Sequence, residues 1–266
     1  MKLSVALATF NEEVNLPRCL ESVKNIADEI IVVDGMSHDQ TKKIAKQMGA
    51  QVFLVPNDPN NFHSMKQKAL EHCRGDWVLQ LDADEFVSPA LAKEIKETIN
   101  KKNDCDGYFI PRKNWFLGKF LQKGGAYPDP VLRLFKNSKA KFSKQKMVVN
   151  TMTTSSVHAQ IEIDGKVDTL KHDLIHNGDP ELGKYLKRFN RYTSIEAENL
   201  LQLGFKKNMF SLLNYMFLKP CYWFLMRFVR HRGYVDGWQG FLFALFSALH
   251  YPVIYLKIGT YGNSGN

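Results

Sequence analysis

Two carboxylates separated by one residue follow a buried-looking apolar run in the first third of the chain. Asp82 and Asp84 come directly after Trp77-Val-Leu-Gln-Leu81, and Glu85 follows them. Side chains alternate along an extended chain, so both carboxylates can present oxygen to one hard divalent cation, which in turn can hold a diphosphate. Lone Asp-x-Asp motifs also occur on acidic protein surfaces. The position of this motif directly after a predicted strand favours a role in binding. We predict that Asp82 and Asp84 bind Mg²⁺ or Mn²⁺.

Polar side chains also end two earlier apolar runs. Thr9, Asn11 and Glu12 follow the first run, and Asp34 ends the second. In open α/β sheets, ligands bind at the carboxyl ends of parallel strands, so one cleft is expected to collect these groups together with Asp82. The alternative is that each acidic residue only caps the helix that follows it. Three such strand ends in order favour a shared binding cleft.

Alternating strands and helices must position these groups. The continuous apolar run 29–34 is typical of a parallel strand that is buried on both faces. Over residues 1–102 the periodicity predicts strands at 3–9, 29–34, 51–55 and 76–81, and helices at 16–23, 41–48, 62–73 and 88–99. This order predicts an α/β fold with a parallel, doubly wound sheet.

The chain changes character after this nucleotide-type half. Glycines and prolines punctuate short strand-like runs between residues 107 and 176, such as 131–135 and 158–163, and a helix returns at 182–203. The middle segment is expected to cover the cleft. We therefore predict three parts, at 1–102, 103–203 and 204–266.

The composition excludes several classes of protein. With 44% hydrophobic and 24% charged residues, the chain is not disordered, collagen-like or a disulfide scaffold. Its four cysteines form no Cys-x-x-Cys pair, which argues against a zinc knuckle and fits a reducing cytosol. The net charge of +9 favours anionic partners. Because the basic residues accompany no known recognition element, we predict no nucleic-acid binding.

Two other chemistries fit the pattern poorly. A phosphatase of the haloacid dehalogenase type carries its Asp-x-Asp pair after the first strand, whereas here the pair follows the fourth. A nicotinamide dehydrogenase needs Gly-x-Gly-x-x-Gly after the first strand, and residues 9–13 contain no glycine.

The ordered set of motifs resembles the family 2 glycosyltransferases, which have a GT-A fold. Its first half consists of Thr9-Phe-Asn-Glu12, Val32-Val-Asp-Gly35 with Ser37, Asp39 and Thr41, and Asp76-Trp77 running into Asp82-Ala-Asp-Glu85. The later part resembles the branch that contains bacterial lipopolysaccharide-core β-1,4-glucosyltransferases. That part consists of Pro111-Arg112, Asn114, Gly118-Lys119, Gly124-Gly125, Tyr127-Pro-Asp129, Arg133-Leu-Phe135, His176, Asn190-Arg-Tyr-Thr193 and Gly233-Tyr-Val-Asp-Gly237.

The resemblance implies a mostly parallel, Rossmann-like GT-A sheet and a metal-dependent, inverting transfer of a hexose. The donor it implies is a nucleotide-diphospho-sugar, here a UDP-sugar, and the acceptor is a lipid-linked or lipopolysaccharide-core saccharide. Glu12 and Asp34 are placed near base and ribose. The implied donor-binding residues are Thr9, Asn11, Glu12, Asp34, Lys66, Asp82 and Arg133. A solvated lysine and a structural ion pair are the alternative interpretations of Lys66 and Arg133.

The acceptor side offers three candidates for the general base that an inverting transferase needs. The related branch commonly has His-Glu where this chain has His158-Ala159. His158 and Glu162 share one face of a predicted strand, and Asp129 lies in a glycine-rich loop. Ala159 also motivates a second hypothesis, a membrane-associated nucleotide-sugar-binding protein with a degenerate catalytic site.

The C-terminal region combines positive charge with aromatic residues. Residues 201–266 contain seven Lys or Arg and one Asp, a net +6 of the total +9. Basic residues beside aromatic ones suit the interface of an anionic bilayer. The uncharged run 238–256 is nearly long enough to span a bilayer, but His250 and Pro252 count against a simple span. We predict a peripheral or monotopic appendage over 204–260 at the cytoplasmic face of the inner membrane. The alternative is a helical pair packed on the catalytic domain or on a second subunit.

Overall fold

The structure is a computed structural model that describes residues 1–57, 62–101, 104–142 and 161–262. The chain clusters into two units. Unit 1 comprises Met1–Arg112 and Pro130–His176, and unit 2 comprises Lys113–Asp129 and Asn177–Asn266. These boundaries do not coincide with the predicted ones at residues 102 and 203, and the three-part functional division stays a prediction. The candidate base His158 lies outside the described residues.

The described residues contain strands and helices in the order that the periodicity predicts over the first hundred residues. The strands are β1 (Leu3–Thr9), β2 (Glu29–Asp34), β3 (Gln51–Leu54), β4 (Trp77–Asp82), β5 (Glu85–Val87), β6 (Gly107–Ile110), β7 (Arg112–Phe116), β8 (Lys119–Phe120), β9 (Val131–Lys136), β10 (Ala140–Phe142), β11 (Ile161–Ile163), β12 (Val167–Thr169) and β13 (Leu174–Asp179). The helices are α1 (Leu16–Val23), α2 (Thr41–Gln47), α3 (Phe62–Glu71), α4 (Pro89–Asn100), α5 (Leu182–Gln202), α6 (Met209–Leu213), α7 (Lys219–Leu225) and α8 (Gly237–Gly262). Short 3-10 turns occupy Asn137–Lys139 and Gly233–Asp236, and π-helical turns occupy Asn214–Leu218 and Met226–Arg230.

The main sheet of unit 1 has the strand order β12-β6-β9-β4-β1-β2-β3. The strands β4, β1, β2 and β3 are parallel, whereas β9 runs antiparallel between β4 and β6. The register places Thr9 opposite Asp34 and Ala8 opposite Asp82. The predicted GT-A type of sheet, mostly parallel, is therefore confirmed, and the carboxyl ends of β1, β2 and β4 meet at one edge.

Both faces of this sheet are covered by helices, as predicted. Leu3, Val5 and Leu7 of β1 are buried in one cluster with side chains of α1, α2 and α4. Ala6 and Ala8, which point to the opposite face, are buried in a second cluster with side chains of α3. The small alanines let α3 approach β1 closely, so this helix is held near the carboxyl end of the strand.

Unit 2 is largely helical, and polar contacts fix its last helix. Lys257 of α8 donates to the carbonyl oxygen of Asn190 at 2.6 Å and to Thr193 Oγ1 at 2.8 Å. His250 Nε2 lies 2.7 Å from Glu196 Oε2. Both contacts join α8 to α5. The predicted C-terminal apolar helix is confirmed, and membrane contact through residues 204–260 stays a prediction.

Asp236, within the motif Gly233–Gly237, binds the backbone of the glycine-rich loop. Its side chain is buried and accepts hydrogen bonds from the amides of Gln122 at 3.0 Å and Lys123 at 2.8 Å. Gly240 packs directly against the backbone of Gly233, where a Cβ atom on Gly240 would lie 1.9 Å from the carbonyl oxygen of Gly233. The motif therefore ties the glycine-rich loop to the C-terminal helices within unit 2.

A carboxylate at the opposite end of the main sheet joins three segments of unit 1. Glu29 Oε1 accepts from Ser4 Oγ at 2.5 Å, from the amide of Arg74 at 2.6 Å and from the amide of Gly75 at 3.2 Å. Burial alone would raise the pKa of Glu29, but these hydrogen bonds to the ionised form lower it below its usual value. The carboxylate thus helps to align the starts of β1, β2 and β4.

We expect Glu29→Gln to lower the free energy of unfolding by about 1–3 kcal/mol at neutral pH, because charged hydrogen bonds are replaced by weaker ones. The pKa is lowered in the folded state, so the carboxylate stabilises the fold above the unfolded pKa and loses this effect as the pH falls through the folded pKa. Urea unfolding followed by tryptophan fluorescence should show the difference from wild type shrinking below about pH 4. Glu21→Gln, on the exposed side of α1, is the control. An equal or larger difference in acid would contradict this role of the carboxylate.

Candidate functional site

Buried hydrogen bonds organise the carboxyl ends of β1 and β2. Asp34 accepts from Thr9 Oγ1 at 3.2 Å, from the amide of Ser37 at 2.9 Å and from Ser37 Oγ at 2.6 Å. Thr9 and Asp34 are both 0% exposed. Their side chains therefore shape the loops from inside, and direct contact of Thr9 or Asp34 with a donor stays a prediction.

The loops after β1 and β2 are bonded to each other. Asn11 has a φ of 55°, a conformation that asparagine tolerates better than most residues. Its amide donates to Ser37 Oγ at 2.9 Å, and its Oδ1 accepts from the amide of His38 at 2.9 Å. The amide of Glu12 donates to Thr41 Oγ1 at 2.8 Å. These bonds fix the predicted donor-binding residues Asn11 and Glu12 at the sheet edge, beside the end of β2.

The two aspartates of the Asp-x-Asp motif do not lie on one extended strand. Strand β4 ends at Asp82, the chain turns at Ala83 and Asp84, and β5 begins at Glu85. The turn is closed by a hydrogen bond of 3.1 Å from the amide of Asp82 to Glu85 Oε2. The expected alternation along an extended chain is wrong at this point, and the two carboxylates consequently have different partners.

Two buried cations hold Asp82. Lys66 of α3 forms an ion pair with Asp82 Oδ1, and Arg133 Nη2 of β9 lies 2.6 Å from Asp82 Oδ2. The same guanidinium lies 2.8 Å from Glu85 Oε1 and donates to Gln80 Oε1. The structure therefore brings three of the predicted donor-binding residues into one cluster. The contacts of Lys66 and Arg133 are those of a buried ion network rather than of a solvated lysine.

Arg112 adds a third cation to this cluster. Arg112 Nη1 lies 3.1 Å from Glu85 Oε1, and Glu85 is 0% exposed. Burial alone would lower the pKa of Arg133, but the carboxylates of Asp82 and Glu85 raise it above its usual value. Lys66, Arg112 and Arg133 thus surround the carboxylates of Asp82 and Glu85. Burying these ions is tolerable only because each has a partner of opposite charge.

A buried cysteine lies beside the turn. Cys19 of α1 is buried, and its thiol lies 3.7 Å from the carbonyl oxygen of Asp82. Burial, followed by the nearby carboxylates of Glu85 and Asp84, raises the pKa of Cys19 well above its usual value. A thiol that stays protonated is a poor nucleophile, so a covalent cysteine mechanism is not supported.

Asp84 pairs with a histidine to which the sequence assigned no role. Strand β13 runs antiparallel to β5 and places His176 opposite Glu85. His176 Nε2 lies 3.5 Å from Asp84 Oδ2, and both side chains are partly exposed. His176 does belong to the motif set of the resembling branch, which was the available signal. The structure thus joins it to the site through a strand pairing that is distant in sequence.

The Asp84–His176 pair suits a divalent cation better than the predicted pair Asp82 and Asp84. Both oxygens of Asp82 face cations, whereas Asp84 and His176 offer an oxygen and a nitrogen side by side. Within the described ranges, no group of three or more His, Cys, Asp or Glu residues that could hold a metal is found. Two protein ligands fit a cation that completes its shell with water and phosphate oxygens. The donor set therefore fits the implied cation.

The structure describes two of the three candidate bases. Asp129 lies in unit 2, where Asn114 Nδ2 donates to its Oδ2 at 3.0 Å and to the carbonyl oxygen of Ala126 at 3.1 Å. Glu162 lies in unit 1 on the short strand β11, with its side chain exposed. Of these two, Asp129 is the carboxylate with a described orienting amide.

Comparison with known proteins identifies similar sequences over most of the chain. The model of the family "Glycosyl transferase family 2" matches residues 4–160. An uncharacterized glycosyltransferase of Rickettsia typhi is 33% identical over 246 residues, which are 91% of this chain and 81% of that protein. The lipopolysaccharide core biosynthesis glycosyltransferase LpsC of Rhizobium meliloti is 24% identical over 94% of this chain and 89% of its own.

One of the similar solved structures is the 1–349 segment of S. aureus TarS in complex with UDP-GlcNAc. It is 16% identical and covers 92% of this chain and 80% of its own, with a TM-score of 0.49. The matches to the two relatives by sequence extend over both units of the chain described above.

We expect Arg133→Met to destabilise the protein by about 3–5 kcal/mol, because Glu85 and Asp82 lose a buried counter-charge. Thermal and urea unfolding measure the loss. Adding Glu85→Gln to Arg133→Met should restore part of the stability, since the double variant no longer buries an unpaired carboxylate at that position. Lys24→Met, which changes an exposed cation directly after α1, is the control. Wild-type stability in the single variant, or additive losses in the double variant, would contradict the buried network.

Proposed function

This chain belongs to glycosyl transferase family 2, and we propose that it moves a hexose from a UDP-sugar to a saccharide acceptor with the help of a divalent cation. The observation that carries the proposal is the Asp84–His176 pair beside the neutralised Asp82, at the edge where β1, β2 and β4 end. A carboxylate and an imidazole placed together at such an edge suit a metal-bound diphosphate.

Asp84 and His176 hold Mg²⁺ or Mn²⁺ in this proposal. The cation, when bound, stabilises the negative charge that develops on the departing nucleoside diphosphate. Asp82 has a different task. Its oxygens are fixed by Lys66 and Arg133, and an ionised carboxylate has about four acceptor positions, so Asp82 can also accept hydrogen bonds from sugar hydroxyls. This assignment replaces the metal role that the sequence suggested for Asp82.

The loops after β1 and β2 bind the nucleoside in this proposal. Their mutual hydrogen bonds hold the backbone around Asn11 and Glu12 in one conformation before a ligand arrives. Pre-ordered loops lower the entropy cost of binding. Asp34 and Thr9 contribute by fixing those loops, and the choice of UDP follows from the resemblance in the sequence.

The acceptor is, in this proposal, a lipid-linked or lipopolysaccharide-core saccharide at the cytoplasmic face of the inner membrane. The relative LpsC, whose name places it in lipopolysaccharide core biosynthesis, supports this class of acceptor. The transfer is a single displacement that inverts the anomeric carbon. Asp129 removes the proton of the attacking hydroxyl, because Asn114 holds one of its oxygens and orients the carboxylate.

The cation site can be tested without knowledge of the acceptor. We expect Asp84→Asn and His176→Gln each to slow the Mn²⁺-dependent release of UDP from UDP-hexoses by at least about 100-fold, because each removes a ligand of the cation. The melting temperature should stay near that of wild type, since both side chains are partly exposed. Asp104→Asn, an exposed carboxylate of unit 1, is the control. Wild-type release in both variants would remove the proposed cation site, and absence of release in the wild type with every donor tried would favour the degenerate binding protein.

The general base is tested with acceptor present. We expect Asp129→Asn to lower kcat of hexose transfer to a lipopolysaccharide-core oligosaccharide by about 10²–10⁴-fold, with little change in UDP affinity measured by calorimetry. Glu162→Gln and His158→Gln are compared in the same assay and should retain activity. If Asp129→Asn turns over normally and one of the other two does not, the base is that residue.

A further inference from the structure

One side of the helical segment Met209–Arg230 in unit 2 is apolar and exposed. This segment consists of α6, α7 and the two π-helical turns. Phe210 is 73% exposed, Phe217 62% and Leu225 55%. We name the exposed series the apolar stripe; its members are Phe210, Leu213, Phe217, Cys221, Leu225 and Val229. The stripe contains no charged side chain.

The stripe runs straight along the segment. Its members follow at intervals of three and then four residues. In a regular α-helix a four-residue step overshoots a full turn by about 40°, so a four-residue series would wind around the axis. The π-helical turns at Asn214–Leu218 and Met226–Arg230 have wider turns than an α-helix, which reduces this drift. The stripe therefore stays on one side over a length of about 30 Å.

The opposite side of the segment belongs to the core of unit 2. Tyr215 is buried in a cluster with Ile254 and Tyr255 of α8. Arg227 is also buried, and its guanidinium donates to the carbonyl oxygen of Gly124 at 3.1 Å. The segment therefore cannot rotate to hide the stripe. An exposed apolar surface of this length is characteristic of an interaction site.

The charges around the stripe favour an anionic partner. Residues 199–235 contain no Asp or Glu. Lys206 precedes the segment, Arg230 ends it and Arg232 follows it, and all three residues are exposed. Lys207 is directed elsewhere, because its ammonium lies 4.5 Å over the ring of Tyr255 in α8. A second copy of the chain would bring like charges together across the stripe, whereas an anionic bilayer offers acyl chains for the stripe and phosphates for the basic residues.

Helix α8 is less suited to enter the bilayer. The segment Gly233–Thr260 is, by length and composition, the one candidate for a membrane span among the described residues, with a mean hydropathy of 1.6. However, the contacts of Lys257 and His250 with α5 hold α8 against protein, and Pro252 lies inside the helix. Leaving these contacts for lipid would expose charged and polar groups at a high cost.

We propose that the segment Met209–Arg230 lies flat on an anionic membrane, with the apolar stripe among the acyl chains and the basic residues Lys206, Arg230 and Arg232 at the phosphates. The segment acts as a monotopic anchor, and α8 supports it from behind. This inference deepens the proposed function, since it names the surface on which a lipid-borne acceptor is met. The test of the membrane anchor uses neither donor nor acceptor, so the anchor and the proposed transferase activity can fail separately.

The test is flotation of the full chain with vesicles of phosphatidylcholine, alone or mixed with phosphatidylglycerol. We expect wild type to float with the mixed vesicles. Phe217→Glu/Leu225→Glu should weaken that binding by about 100-fold or more, because two apolar side chains no longer enter the bilayer. The matched control is Leu54→Glu/Val167→Glu, which changes two exposed apolar residues of unit 1 in the same way and should float like wild type.

A charge variant tests whether the basic residues contribute to membrane binding. Changing Lys206, Arg230 and Arg232 to glutamine should weaken binding to mixed vesicles by about fivefold per residue, while the stripe stays intact. Wild type that stays soluble beside mixed vesicles, or a stripe variant that floats like wild type, would overturn the proposal. The proposal would also be overturned if wild type bound no vesicles and light scattering showed that it forms a dimer, whereas the stripe variant is a monomer. UDP release by the stripe variant in solution reports on the proposed function independently.

Discussion

The buried guanidinium of Arg133 is the contact on which the candidate site depends. It reaches Asp82 and Glu85, two carboxylates that face each other across a tight turn, and it also donates to Gln80 on β4. Without this cation the buried Glu85 and the partly exposed Asp82 would lose the counter-charge that they share. Arg133 fixes Asp82, and the turn that follows carries Asp84 to 3.5 Å from His176. The position of the proposed cation ligands therefore follows from a structural ion network.

The strand register supplies the rest of the arrangement. Thr9 lies opposite Asp34, and Ala8 lies opposite Asp82, so three chain segments that are far apart in sequence end side by side. The hydrogen bonds among the two loops then use the backbone amides that the strand ends leave unpaired. Inside unit 2, Asp236 and Arg227 likewise form hydrogen bonds to the backbone of the glycine-rich loop and fix it. In both units, buried polar side chains bond the backbone of loops that carry candidate site residues.

The sequence predicted the features that depend on local periodicity. Strands β1 to β4 and the helices between them follow from apolar runs and amphipathic patterns of a few residues each. It did not predict the turn at Ala83 and Asp84, because the turn is stabilised by Arg133 from β9. Nor did it assign His176 to the site, since the pairing of β13 with β5 joins residues that are about ninety positions apart. Long-range pairing is invisible to a pattern that is read along one segment.

The C-terminal region is a second place where contacts between distant residues could not be predicted from the sequence. Read alone, the uncharged run 238–256 is the strongest membrane signal in the chain, and the shorter segment before it is broken by Lys219 and Arg227. In the structure Arg227 is turned inward, and Lys219 lies over the ring of Tyr215, so the exposed side of that segment is apolar. Which helix presents an apolar face depends on how the helices pack, and packing is decided by contacts between distant residues.

We propose that a divalent cation binds between Asp84 and His176 while Lys66 and Arg133 bind Asp82. The most direct measurement is pulsed electron paramagnetic resonance of Mn²⁺ bound with UDP to the full chain. We expect a hyperfine coupling from one imidazole nitrogen in wild type and in Asp82→Asn, and loss of that coupling in His176→Gln. If the wild-type complex shows no nitrogen coupling, or if the coupling persists in His176→Gln, the cation does not bind at His176.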